Sequence, residues 1–185
     1  MKFLRTVIPV IIVLVLVFGA SCTSTNASSV KLGTITDYRS YIKQPLAKNG
    51  QAPDFQFKLP DGDTMFLSDL QGKTVLLNFW AVSCPYCVRE MPYLQQAYNS
   101  LSSQGIIILG INTGESEKTV AKFVSSKNIS FPVLLDPEYY ASILYNAQYL
   151  PTTYLIDKAG NINNVIIGAF SDAEQVITSL KDLLQ

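Results

Sequence analysis

The spacing of apolar residues changes along the chain, and each change marks an element. Thr6 to Phe18 is uncharged and almost wholly apolar, broken only by Pro9. From Gln51 a period of two sets in. Phe55, Phe57 and Leu59 alternate with polar residues, and Met65–Leu67 follows the Pro60-Asp61-Gly62-Asp63 turn as a hairpin partner. Val75–Trp80 is a nearly continuous apolar run, as in a strand buried on both faces. A helix starting between Cys84 and Tyr86 runs to about Gln104 with Pro92 inside it, and Ile106–Ile111 is another apolar strand. Helical spacing returns over Glu117–Lys127, then a strand at Phe131–Leu135 and a helical segment over Pro137–Gln148. Thr152–Ile156 and Asn164–Ile167 read as strands around an Asp157–Asn161 turn. Ser171 or Asp172 caps a last helix carrying Val176, Ile177, Leu180, Leu183 and Leu184. This order, β-α-β-α-β-α-β-β-α, predicts an α/β sandwich, parallel at first and closed by an antiparallel hairpin.

The N-terminal part reads as an address. Lys2 and Arg5 precede the apolar run, and Gly19, Ala20 and Ser21 lead to Cys22. Basic start, short apolar stretch and small-residue cleavage site are the layout of an export signal over residues 1–21. Small residues directly before a Cys resemble a bacterial lipobox, in which the Cys is acylated; Gly19 stands where a Leu-like residue is usual. Cys22 is therefore a candidate lipid attachment site, with an uncleaved N-terminal anchor as the alternative. Residues 22–50 read as a tether: Thr23–Ser29 is a polar spacer, and Val30–Gln51 is either a short packed helix or part of that tether. The folded domain is then residues 51–185.

Composition narrows the chemistry. The chain has 185 residues, no histidine, and equal numbers of basic and acidic side chains, 14 of each. Without histidine there is no Ser-His-Asp or Cys-His nucleophile and no histidine metal site. The absence of a basic excess argues against a nucleic-acid partner. Three cysteines, Cys22, Cys84 and Cys87, are too few for a disulfide scaffold or a four-Cys zinc site, so no metal is expected.

The chemistry centres on Cys84-Pro85-Tyr86-Cys87, where a buried strand passes into a helix. In that context C-x-x-C is a redox motif, and its disulfide is the only redox group the sequence implies. Free N–H groups at the helix start favour a thiolate on Cys84, the attacking form, while Cys87 lies one turn in and resolves the mixed disulfide. Pro85 suits a first helical turn. Glu90 follows Cys87 by three residues, on the same helical face. It reads either as a proton holder for Cys87 or as a surface acid paired with Arg89. Leu150-Pro151-Thr152 opens a strand, and a cis bond at Pro151 would turn a backbone edge towards a partner. Glu115 and Glu117 read as acids at a helix start.

These segments resemble a known group. Ala52-Pro53-Asp54-Phe55, Ser68–Lys73, Leu77-Asn78-Phe79-Trp80-Ala81, the C-x-x-C and Leu150–Asp157 are similar in sequence and order to TlpA/ResA-type thioredoxin-like proteins. The resemblance implies a thioredoxin-like α/β fold with an N-terminal β-hairpin and a central αβ insertion, about Thr119–Gln148. It also implies a cis-Pro at Pro151 facing the cysteines, an action of Glu90 on cysteine acidity, and a partner-facing surface formed by Trp80, Pro85, Tyr86, Leu150, Pro151 and Thr152. Its activity is extracytoplasmic, membrane-tethered thiol-disulfide exchange. As partner the resemblance implies a disulfide-bearing exported protein, notably apocytochrome c, with a membrane thiol donor to restore the dithiol. Ser83 departs from the Trp common in the group, and Pro-Tyr between the cysteines is the glutaredoxin dipeptide. The alternatives on the same fold are an oxidase or isomerase, or a thiol peroxidase.

Overall fold

The computed structural model describes residues 32–37, 50–59 and 62–184. The leader over residues 1–21 and Cys22 lie outside them.

Among the described residues, eight strands form one mixed sheet. They are β1 (Leu32–Asp37), β2 (Gln56–Lys58), β3 (Thr64–Phe66), β4 (Thr74–Trp80), β5 (Ile106–Thr113), β6 (Val133–Asp136), β7 (Thr152–Ile156) and β8 (Ile162–Ile167). Their order across the sheet is β3-β2-β1-β6-β5-β4-β7-β8. β4, β5 and β6 are parallel neighbours, and β7 and β8 close the other side antiparallel. The predicted parallel start and antiparallel finish are both present.

Among the described residues, four α-helices cover the sheet: α1 (Pro85–Leu101), α2 (Glu117–Ser126), α3 (Tyr140–Leu144) and α4 (Ala173–Lys181). β4 is buried along its whole length because its alternate side chains serve two apolar clusters. Leu76 and Trp80 pack with α1, α2 and α4 on one face. Val75, Leu77 and Phe79 pack with Phe55, Phe57, Ala141 and Tyr145 on the other. An apolar run without alternation is what such a two-faced strand requires.

Two segments differ from the sequence reading. Part of the stretch read as helix or tether is a strand: β1 lies between β2 and β6, antiparallel to the first and parallel to the second. The sheet thus begins at Leu32, ahead of the expected boundary at residue 51. The physical reason is packing. Ile35 is buried, and Gly33 lets the backbones close up: a Cβ there would sit 2.5 Å from Leu134 Cδ2 and 2.6 Å from the Lys58 carbonyl oxygen. The second difference is α3, which covers only five residues of the expected Pro137–Gln148 helix. Buried Asp136 accepts from the backbone N–H groups of Ala141 and Ser142 and from the Ser142 hydroxyl, and so holds this short helix at the end of β6.

Candidate active site

β4 ends at Trp80, and three residues carry the chain to Cys84, the N-cap of α1. The cap is local chemistry: the Cys87 N–H points at Cys84 Sγ from 3.2 Å, and Pro85 occupies the first helical turn, where a missing N–H costs nothing. The two sulfurs are joined as a disulfide, with Cα atoms 5.3 Å apart. Cys84 is half-buried, while Cys87 is fully enclosed. Cys84 is thus the more accessible of the two and Cys87 the more buried, as the spacing predicts. Pro85 and Tyr86 are exposed at the tip, and the Arg89 guanidinium carbon lies 5.1 Å from the Tyr86 ring centre.

The loop before Cys84 is clamped by a residue the sequence reading assigned elsewhere. Glu115 does not serve the dipole of α2. Its carboxylate accepts from the backbone N–H of Val82 at 2.7 Å and of Ser83 at 3.0 Å, and from the Asn112 side-chain amide at 2.8 Å. Ser116 is the N-cap of α2, which leaves Glu115 free to turn back to the cysteine loop.

The Leu150–Pro151 peptide is cis. It brings the Leu150 carbonyl oxygen within 3.6 Å of Cys84 Sγ. The expected partner-facing surface needs correction here. Pro151 and Thr152 have buried side chains, and the Thr152 hydroxyl donates to the Tyr149 carbonyl. The Pro151 carbonyl is taken by the Gly168 N–H. What remains towards the sulfur is Leu150. Trp80 is also corrected: it is 0% exposed, with its ring 5.3 Å from that of Phe123, so its side chain packs beneath the site and does not line its surface.

Glu90 is 0% exposed, which removes the surface-acid alternative. Oε1 accepts from Asn78 Nδ2 and Oε2 from the Phe170 backbone N–H, both at 2.9 Å. Asn78 also donates to Thr153 Oγ1 at 2.9 Å. Burial pushes the Glu90 carboxyl from the ordinary 4.5 up to about 7, against the pull of both hydrogen bonds and of Arg89. Asn78 and Thr153 were not singled out from the sequence. The signal was there: Asn78 is the one polar residue inside the apolar run Val75–Trp80.

A disulfide at a helix tip, opened by one accessible sulfur and closed by a buried one, exchanges electron pairs with other disulfides. Fold and site together define a thiol-disulfide oxidoreductase of the thioredoxin-like class. Residues 49–165 match the AhpC/TSA family model, and the chain belongs to that family. Among curated proteins it is similar to thiol-disulfide oxidoreductase ResA of Geobacillus kaustophilus, 39% identical over 75% of this chain and 81% of that one. Similarity to ResA of Bacillus subtilis is 37% identity over 71% and 73%. Among solved structures, a thioredoxin-family thiol:disulfide interchange protein from Chlorobium tepidum superposes with a TM-score of 0.67 at 26% identity, covering 76% of this chain and all of that one. StoA from Bacillus subtilis does so at 0.61 and 26%, over 70% and 97%.

Proposed function

We propose that this protein is an extracytoplasmic, membrane-tethered reductant of disulfides in exported proteins, with apocytochrome c as the foremost partner. The observation that carries the reading is Glu90: a carboxyl one turn beyond Cys87 on α1, fully buried, held by Asn78 and the Phe170 N–H, and pushed up to about 7 by that burial. The Cys84 thiolate attacks one sulfur of the partner's disulfide, forming a mixed disulfide and expelling the other sulfur as thiolate. Cys87 gives its proton to Glu90 and attacks Cys84 Sγ, which breaks the mixed disulfide and closes the Cys84–Cys87 bond. Two electrons pass to the partner, and its sulfurs leave as thiols after taking one proton from Glu90 and one from water. A membrane thiol donor restores the dithiol. The tether is supplied by the chain ahead of β1, through acylated Cys22 or the retained leader. The family resemblance supports the reducing direction and the haem-protein partner.

Two measurements test this. The Cys84–Cys87 couple should have a reduction potential of about −250 mV or lower; a value near about −120 mV would make the protein an oxidant. Cys87→Ala should accumulate mixed disulfides through Cys84, with a c-type apocytochrome among the captured chains. Rapid peroxide consumption by Cys84 would favour a peroxidase instead.

A further inference from the structure

A groove of about 510 Å³ opens beside Leu150, and the exchange chemistry leaves it unexplained. Its walls include Tyr139, Ile143, Ala147 and Leu150, and Glu138 is its one charged lining residue. Leu150 is shared with the reacting centre, since its carbonyl oxygen is 3.6 Å from Cys84 Sγ. The groove also carries large apolar side chains that a folded chain would ordinarily cover: Ile143 is 62% exposed and Tyr139 48%. Tyr139 and Asn146 keep left-handed backbone, φ 59° and 48°, a costly conformation for a Tyr. The Tyr139 ring lies where a Cβ on Gly114 would stand, next to the Glu115 clamp.

Geometry limits what can lie there. A partner sulfur bonded to Cys84 sits about 2 Å from Sγ. Its backbone therefore runs close to Leu150, and an extended chain advances about 3.3 Å per residue. A side chain two or three residues from the partner's cysteine is carried over Leu150 and into the groove. A second copy of this chain is a poorer fit, because a stable dimer needs on the order of 1,200 Å² of buried surface, far more than a cleft of side-chain dimensions.

We propose that this groove is a substrate subsite: it takes an extended segment on one side of the partner's reactive cysteine, seating an apolar side chain against Ile143 and Leu150 and a basic one against Glu138. The proposal rests on thiol-disulfide exchange at Cys84 and adds to it a sequence preference.

The test uses the reduced full chain and two synthetic peptides that carry the same internal disulfide. One has Leu and Lys two and three residues beyond a cysteine, the other Ser and Glu. The unaltered protein should prefer the first by about tenfold in kcat/KM, chiefly through KM. Ile143→Ser should bring that preference close to one, Ile143→Leu should restore it, and Glu138→Gln should remove the part due to Lys. Equal rates on both peptides with the unaltered protein would overturn the subsite, as would a preference that survives Ile143→Ser. A change in oligomeric mass in Ile143→Ser with the preference intact would also overturn it, in favour of a second copy. Failure of the exchange reading itself looks different: neither peptide is reduced at all.

Discussion

The backbone N–H of Phe170 donates to Glu90 Oε2 at 2.9 Å, joining residues eighty positions apart in the chain. The bond fixes one carboxylate oxygen of α1 to the segment that leads into α4. The Asn78 amide holds the other oxygen from β4. Glu90 is thus held by two elements besides its own helix, in a place no water-facing acid would occupy.

That burial makes stability depend on pH. Folding raises the Glu90 carboxyl from 4.5 to about 7, so the folded state holds the proton more tightly than the unfolded one across that window. The contribution is fully present below 4.5, is lost as pH rises towards about 7, and is flat above. A shift of this size is worth about 3 kcal/mol. In denaturant titrations of the oxidised protein, the stability of Glu90→Gln relative to the unaltered chain should therefore improve by about 3 kcal/mol between pH 4 and pH 8. A difference independent of pH would place Glu90 in contact with water.

Asn78 tunes the same proton. Its amide donates to Glu90 and so favours the carboxylate. Asn78→Leu keeps the volume and the dryness of the site but removes the donor. The Glu90 midpoint, followed by carboxyl carbon chemical shifts, should move above about 7. A downward move would show that the variant lets water in.

The Glu115 clamp is separable from acid chemistry at the sulfurs. Glu115→Ala leaves the N–H groups of Val82 and Ser83 without their acceptor. The site is partly open to water, so the cost should be near the low end for a lost charged acceptor, about 1 kcal/mol. That corresponds to roughly 2–4 °C in Tm. Exchange by the reduced protein should slow with it, as the loop before Cys84 loses its fixed position. Unchanged Tm and rate would mean the clamp has no hold on the loop.

Gly33→Ala tests the placement of β1. The added methyl meets the Lys58 carbonyl oxygen, which belongs to the backbone and has nowhere to go. Destabilisation of about 1–3 kcal/mol is expected in equilibrium unfolding. A neutral result would mean that β1 is not held between β2 and β6.

Much of this was readable from residue order. β4 announced itself by an unbroken apolar run, α1 by Pro85 after a cysteine cap, and the closing hairpin by its turn residues. β1 was not readable, because Ile35, Tyr38, Tyr41 and Ile42 imitate helical spacing, while one of its two partners, β6, lies about a hundred residues away. Trp80 and Thr152 were assigned to the surface on motif position alone. Only packing shows that their side chains face inward. Glu115 was misread for the opposite reason: its neighbours place it at a helix start, and only the third dimension brings Val82 and Ser83 to it.

The position of β1 has a consequence for how the chain matures. Leu32 pairs with Val133, and β4 pairs with β7 some eighty residues further on. Pairings of such long range are slow to form, since a large loop must close before they contribute. A chain emerging N-terminus first cannot finish its sheet until nearly all of it has arrived. Until then β1 offers an open edge, and the two cysteines sit on an unfinished support. The redox site therefore becomes competent late, only after most of the polypeptide is together in one compartment.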